Sequence, residues 1–283
     1  MDVIRNASAL TKQVDFYKSK HKRIGFAPTM GALHEGHRSL LAASKQQTDV
    51  TICSIFVNPA QFNDPKDYKK YPVMLDHDLA ILESAGIDIA FAPSVEEMYP
   101  DGLDNLEHYA IGPLENILEG KYRPGHFQGV CQIMARLLRL TRPNVLFMGQ
   151  KDFQQCMVIN KLLSLMKAEL TTLLQICPTV REPDGLAMSS RNLRLSEAER
   201  KTAAAISESL QLVRTQIRPG NLTTLEIQAS SFLSSRGFKV DYFEIATADK
   251  LELLNEWDGT EKLVALAAAF LNQVRLIDNM MID

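Results

Sequence analysis

The sequence predicts an α/β protein: a Rossmann-like parallel-sheet domain followed by a smaller α+β domain. Three observations lead there. The first half alternates short apolar runs with amphipathic ones, the strand–helix–strand rhythm of a mostly parallel sheet. The run Val50–Val57 (VTICSIFV) is β-branched and apolar throughout, as a strand buried on both faces must be. After Pro178 the order changes to helices and then strands, which marks a separate α+β unit. At 283 residues two domains are expected, residues 1–178 and 179–283. Two prolines and a glycine in Pro178–Gly185 (PTVREPDG) place a hinge at the start of the second, which would act as a lid.

The elements follow in order. Ile24–Pro28 is a strand stopped by proline. Gly36–Gln47 carries Leu40, Leu41 and Ala43 at helical spacing. Asn58–Pro72, rich in Asn, Pro, Asp and Lys, reads as a loop. Met74–Ser84 is a helix with Leu75, Leu79 and Leu82 on one stripe, and Ile87–Ala92 is the next strand. Val130–Leu140 reads as a helix, Asn144–Met148 as a strand, Phe153–Met166 as a helix and Thr172–Cys177 as a strand. In the second domain Ser196–Arg214 and Thr224–Ser235 read as helices. Lys239–Ile245, Lys262–Ala267 and Val274–Asn279 read as strands. Leu263–Leu271 is open between strand and helix, because its alanines weaken the strand case.

Composition removes several function classes. Hydrophobic residues at 46% and charged residues at 23% exclude disordered and fibrous chains. A net charge of −3 does not ask for a nucleic-acid partner. The longest apolar run, Leu263–Leu271, is far short of the roughly 18 residues that span a bilayer. No secretory segment follows Met1, so the chain is expected in the cytoplasm. Cys53, Cys131, Cys156 and Cys177 stand singly, with no C-x-x-C for zinc or redox work.

Chemistry-bearing residues collect where strands end. Met30-Gly31-Ala32-Leu33-His34-Glu35-Gly36-His37 follows one strand and opens a helix, where free N–H groups and the helix dipole favour anions. Gly31 and Gly36 allow close backbone approach to a phosphate. His34 and His37, three apart, share a face and can donate to phosphate oxygens. A plain capping turn remains the alternative. H-E-G-H is one residue short of a zincin pair, and no third ligand can be named, so no metal site is expected. Neither a Walker A loop nor G-x-G-x-x-G is present.

Gly149-Gln150-Lys151-Asp152 is a second strand-end loop. Lys151 either meets phosphate charge or is a solvated residue beside an Asp152 N-cap. Asp184 to Asn192 (DGLAMSSRN) offers paired hydroxyls and an arginine for polyphosphate, or simply caps the next helix. Asn58 and Gln61 present amides at a third strand end, and Arg123 to Val130 (RPGHFQGV) has glycines for a tight helix entry.

In order and spacing, PTMGALHEGHRSLL, SIFVNPAQF, RPGHFQGV, GQKDFQQ and DGLAMSSRN resemble the signature blocks of the pantothenate synthetase (pantoate–β-alanine ligase) family. The trailing VDYFEI and RLIDNM also fit, so the resemblance is full-length. H-x-G-H alone would indicate only the wider nucleotidyltransferase superfamily. The resemblance implies an AMP-forming ligase using ATP and Mg²⁺. Pantoate would be activated as pantoyl adenylate with loss of pyrophosphate, and β-alanine would displace AMP.

By the same resemblance, His37, His34 and Lys151 are the catalytic residues. Met30, Gly31, Ala32, Leu33, Glu35 and Gly36 join the two histidines around ATP. Gly149, Gln150 and Asp152 would hold adenosine and phosphate with Lys151. Val180, Met188, Ser189, Ser190 and Arg191 would close over the nucleotide. Gln61 and Gln155 would bind pantoate, with Gln61 also near β-alanine. Gln150 stands where the family more often has Glu. The family is typically a cytosolic homodimer without nucleic-acid or membrane partners. A different superfamily member, transferring a nucleotide to a phosphorylated substrate, would not need the two glutamines.

Overall fold

The computed structural model describes residues 1–63, 65–104 and 106–282. Two compact units are distinguished: Met1–Gly149 with Val158–Pro178, and Gln150–Met157 with Thr179–Asp283.

The first unit runs β1 (Asp2–Ile4), α1 (Ala7–Ser19), β2 (Ile24–Thr29), α2 (Glu35–Gln47), β3 (Val50–Ile55), α3 (Pro65–Lys69), α4 (Leu75–Ser84) and β4 (Ile89–Phe91). It continues with α5 (Val95–Met98), α6 (Glu119–Tyr122), α7 (His126–Thr141), β5 (Val145–Gly149), most of α8 (Phe153–Leu165) and β6 (Leu173–Cys177). The six strands form one parallel sheet in the order β1-β4-β3-β2-β5-β6.

Side chains explain the layering. Ile24, Phe26, Ile52, Ile89 and Phe91 are fully buried, and each apolar side chain so removed from water is worth about 1.5–3 kcal/mol. Leu33, Leu41 and Leu82 pack against Ala27, Cys53 and Ala90, fixing α2 and α4 against the sheet. Leu40 packs on Val145, Phe147 and Cys177, so α2 also covers β5 and β6.

The strand order reverses between β2 and β5, and in open parallel sheets this switch point is where a ligand crevice forms. β2 pairs with β3 along its whole length, from Ile24↔Val50 to Thr29↔Ile55. It pairs with β5 only at Gly25↔Val145 and Phe26↔Leu146. That ladder therefore stops before the carboxyl ends of the two strands.

The second unit holds α9 (Glu197–Ala203), α10 (Ala205–Gln216), β7 (Gly220–Asn221), α11 (Thr223–Ser235), β8 (Phe238–Thr247), β9 (Glu256–Trp257), β10 (Leu263–Leu271) and β11 (Val274–Ile282). β8, β10 and β11 form an antiparallel sheet with β10 in the middle. Leu210, Val213, Ala229 and Leu233 of α10 and α11 join Ile245, Leu263, Ala265 and Ala267 in one core.

The α/β plan and the smaller C-terminal α+β unit are as the sequence predicts. Several details differ, among them β2, which runs through Pro28 to Thr29 because Pro28 still pairs with Ser54. Leu263–Leu271 is a strand: pairing on both sides satisfies its backbone, and alanines suit a central position buried almost throughout. The Asn58–Pro72 stretch contains a 3₁₀ turn at Pro59–Gln61 and α3, each with proline in its first turn. The helix expected from Val130 begins at His126, because Gly129 lies inside it rather than before it. Ser196–Arg214 is two helices that meet at Ala204, where no breaker residue stands. Among the described residues no helix is long and apolar enough to cross a membrane.

Candidate active site

The loop from β2 to α2 is tightly constrained. Gly31 has φ +82°, and a Cβ there would lie 2.8 Å from Oδ2 of Asp78 and 3.2 Å from Ile55. Only glycine meets both conditions. Ala32 follows at φ +49°, a left-handed position that costs an L-residue energy. The Asp78 carboxylate, fully buried at the start of α4, accepts the Ala32 N–H at 2.9 Å and the Leu33 N–H at 2.7 Å. Those two bonds hold the turn in its strained shape.

The turn delivers His34 and His37 to the first turn of α2. His34 is the N-cap: its Nδ1 accepts the Gly36 N–H at 3.1 Å, and Nδ1 of His37 accepts the His34 N–H at 3.2 Å. A neutral imidazole that accepts at Nδ1 carries its proton at Nε2. Both rings are thereby fixed as Nε2 donors, with centroids 4.1 Å apart, on a helix N-terminus. A zinc-binding imidazole needs an unprotonated ligating nitrogen and usually donates from the other. Among the described residues no group of three or more His, Cys, Asp or Glu is placed to hold a metal ion.

Gln61 lies beside this loop. Its Nε2 is 3.1 Å from Sδ of Met30, and its Oε1 accepts from Nδ2 of Asn58 at 3.1 Å. Asn58 is 1% exposed, so its orientation is set by partners rather than solvent. Nδ2 also donates to the Gly129 carbonyl at 3.0 Å, and Oδ1 accepts from the Tyr99 hydroxyl at 2.7 Å. Burial pushes the Tyr99 phenol above its usual range, which keeps it a donor. His126 meets the Gln61 carbonyl through Nδ1 at 2.8 Å and Arg123 through Nε2 at 3.1 Å. A carbonyl only accepts and a guanidinium only donates, so His126 here is the neutral Nδ1–H tautomer. A Cβ on Gly129 would come within 2.2 Å of the Ala60 carbonyl, so the glycine lets α7 close on the Asn58–Gln61 turn. RPGHFQGV thus supports the amide turn.

In the second unit Gln150–Asp152 form one 3₁₀ turn leading into α8, whose first residues include Gln155. Lys151 lies 3.6 Å from Oδ1 of Asp152, and only 17% of its side chain is exposed, so it is not a freely solvated surface lysine. Asn279 of β11 donates to the carbonyls of Gln150 at 2.9 Å and Lys151 at 2.8 Å. Val180 and Met188 are joined by the Met188 N–H to the Val180 carbonyl at 3.0 Å, beside the Arg181↔Ala187 bridge. Ser189 caps the next turn by accepting the Arg191 N–H at 3.3 Å, and that turn contains Ser190 and Arg191. Arg181 grips buried Asp278 with both terminal nitrogens, at 2.6 and 3.0 Å.

The expected residues therefore fall into two sets. Met30 to His37, Gln61 and Gly149 belong to the first unit. Gln150 to Asp152, Gln155, Val180 and Met188 to Arg191 belong to the second. Sequence reasoning missed Asp78, Asp278 and Asn279. Each left a signal: Asp78 is an acid on the apolar stripe of α4, and Asp278-Asn279 is a polar pair inside an apolar strand. The four cysteines are all buried, and burial pushes the thiols of Cys53 and Cys131 up to about 12, which disfavours the thiolate at those two positions.

Known proteins share the sequence and the fold. The family model for pantoate–β-alanine ligase matches residues 2–281. Pantothenate synthetase of Bacteroides fragilis is 42% identical over 280 residues, covering 99% of this chain and 98% of its own. The crystal structure of pantothenate synthetase from Thermus thermophilus superposes with a TM-score of 0.89 at 36% identity, covering 99% of each chain. Pantoate–β-alanine ligase from Francisella tularensis, complexed with β,γ-ATP and β-alanine, matches with a TM-score of 0.81 at 39% identity, covering 99% of this chain and 97% of its own. With a fitted switch-point sheet, a two-histidine helix start and a full-length match, this chain belongs to the pantoate–β-alanine ligase family.

Proposed function

We propose that the protein condenses pantoate with β-alanine through a pantoyl adenylate, consuming ATP and releasing AMP and pyrophosphate. The observation that carries this reading is the β2–α2 loop. It gives two imidazoles fixed as Nε2 donors at a helix N-terminus, beside the switch point of the sheet. Such donors suit phosphate oxygens in the ground state. They suit them better still as negative charge builds on the α-phosphoryl group and departing pyrophosphate.

A free carboxylate does not acylate an amine at neutral pH. Joining it to AMP makes it an acyl donor with a stable leaving group. Gln61 presents an Nε2–H whose direction Asn58 sets, so it can orient pantoate without the fixed charge that would blunt the carboxylate's attack. Gln155 serves the same substrate from α8, and Gln61 also lies near β-alanine in this reading. Lys151 neutralises charge on the phosphates. Gly149, Gln150, Asp152 and the residues Met30 to Gly36 shape the nucleotide's surroundings. Val180 and Met188 to Arg191 cover it. Mg²⁺ brought in with ATP would supply further charge neutralisation at the phosphates.

The same proposal includes a cytoplasmic homodimer and a lid role for residues 179–283. Amide exchange across Asp184–Asn192, with and without a non-hydrolysable ATP analogue, tests the lid. The reaction itself is tested with ATP, Mg²⁺ and pantoate, with and without β-alanine. Pyrophosphate is expected to depend on pantoate, and AMP to appear only with β-alanine. Lys151→Ala is expected to slow pyrophosphate formation by about 10²–10³-fold. No response to pantoate overturns the reading, and a mutant within about threefold of wild type overturns the role of Lys151.

A further inference from the structure

We propose that Asn279, on the last strand, is a positioning residue for Lys151: it sets the height and direction of the turn from which the lysine reaches the phosphates. The inference rests on the phosphate role given to Lys151 above.

The hydrogen-bond geometry leads to it. Asn279 is 2% exposed. A primary amide has two donor hydrogens, and here Nδ2 reaches two successive carbonyls of one turn, those of Gln150 and Lys151. Its Oδ1 accepts from Nε2 of Gln150 at 3.2 Å. Three bonds from one side chain therefore hold a single 3₁₀ turn, in which Lys151 is the middle residue.

The mount is itself rigid. Asn279 pairs with Leu266 of the central strand β10. Its N–H donates to Oδ1 of Asp278 at 2.8 Å, and its carbonyl accepts from Arg181 at 3.1 Å. Arg181 in turn donates to both oxygens of Asp278 and to the Gly185 carbonyl at 3.0 Å. The dipeptide Asp278-Asn279 thus ties two segments to one strand: the Lys151 turn and the Arg181–Ala187 hairpin. A side chain mounted on a paired strand holds a site more accurately than one on a free loop. Accuracy matters because a displacement of about 1 Å can cost about 10²-fold in rate. A merely structural amide would stabilise the unit without changing the chemistry of Lys151 in particular.

The test is a double-mutant cycle read by pantoate-dependent pyrophosphate release, with kcat and KM separated. It compares wild type, Asn279→Ala, Lys151→Ala and the double variant. Leu233→Ala, in the core of the same unit, controls for stability. Asn279→Ala is expected to lower kcat by at least about 30-fold with KM for pantoate within about threefold. In the Lys151→Ala background the same change is expected to cost less than about twofold. Leu233→Ala is expected to lose at least as much thermal stability and keep kcat within about threefold. Asn279→Ser keeps one donor, is expected to fall between, and replaces Asn279→Ala if that variant does not fold. Additive effects, or a kcat loss in Leu233→Ala equal to that in Asn279→Ala, overturn the positioning role. So does an Asn279 variant within about threefold of wild type while Lys151→Ala is impaired. If Lys151→Ala itself is unimpaired, the assignment of Lys151 to the phosphates is what fails.

Discussion

Asp78 accepts the backbone N–H of Leu33 at 2.7 Å, and the same buried carboxylate takes the Ala32 N–H, so a helix distant in sequence holds the histidine loop in shape. Two hydrogen bonds to one buried side chain offset the strain at Ala32. Asp78→Ala leaves two buried N–H groups without an acceptor. It is expected to cost about 3 kcal/mol, read from the urea midpoint. It is also expected to slow pyrophosphate formation at least tenfold or so, because the imidazoles lose their fixed approach. An unchanged midpoint would show that the loop is held by something else.

The imidazoles make a separate claim about protons. Each Nδ1 accepts a backbone N–H, so each ring should carry its proton on Nε2 when neutral. Long-range ¹H–¹⁵N correlation spectra are expected to show Nδ1 unprotonated in both rings. Dialysed protein is expected to carry no stoichiometric zinc. An Nδ1–H tautomer in either ring would break the capping geometry and the donor role together.

The sheet and the histidine loop were legible because local pattern carries them. Alternation of strand and helix needs only neighbours in sequence, and Gly31 with His34 and His37 lies within one short stretch of chain. What failed to show was whatever depends on distant partners. The run Leu263–Leu271 looks ambiguous alone, because a strand rich in alanine is stabilised by β8 and β11 on either side. Asp78 acts on residues 45 and 46 positions away, and Asn279 on residues 128 and 129 positions away. No spacing rule links such pairs. RPGHFQGV was visible as a glycine-spaced motif, but its support of Gln61 through His126 required the folded turn.

Asp184 supplies a prediction with a pH sign. The Arg200 guanidinium holds its carboxyl below the usual 3.8, helped by the Leu186 N–H. A depressed carboxyl contributes stability that is present above the unfolded pKa and is lost as pH falls through the folded one. Both side chains are partly exposed, so the contribution is at most about 1 kcal/mol. Asp184→Asn is expected to lower the denaturation midpoint slightly at pH 7 and not at all once the pH is well below 3.8. A deficit that persists in acid would trace to packing of the hairpin, not to the ion pair.

In the proposed function, Gln61 and Gln155 are what would separate this ligase from enzymes that share only the two-histidine loop. Pantoate offers hydroxyls and a carboxylate, and an amide can both donate to and accept from such groups. Asn58 already occupies Oε1 of Gln61, so in that proposal the Nε2 edge, next to Met30, would be the donor for substrate. Tyr99 fixes Asn58 in turn, so the amide cannot flip without leaving Asn58 unsatisfied. A site built to bond a particular hydroxyl discriminates strongly against ligands that lack it. Gln61→Ala and Gln155→Ala are each expected to lower kcat/KM for pantoate at least tenfold, about 1.4 kcal/mol. ATP affinity, measured without pantoate, is expected to stay within about twofold. Asn58→Ala is expected to follow Gln61→Ala in direction, since it frees the amide to rotate. If either glutamine variant loses ATP binding as badly as pantoate use, that glutamine serves the nucleotide, and pantoate is held by other residues.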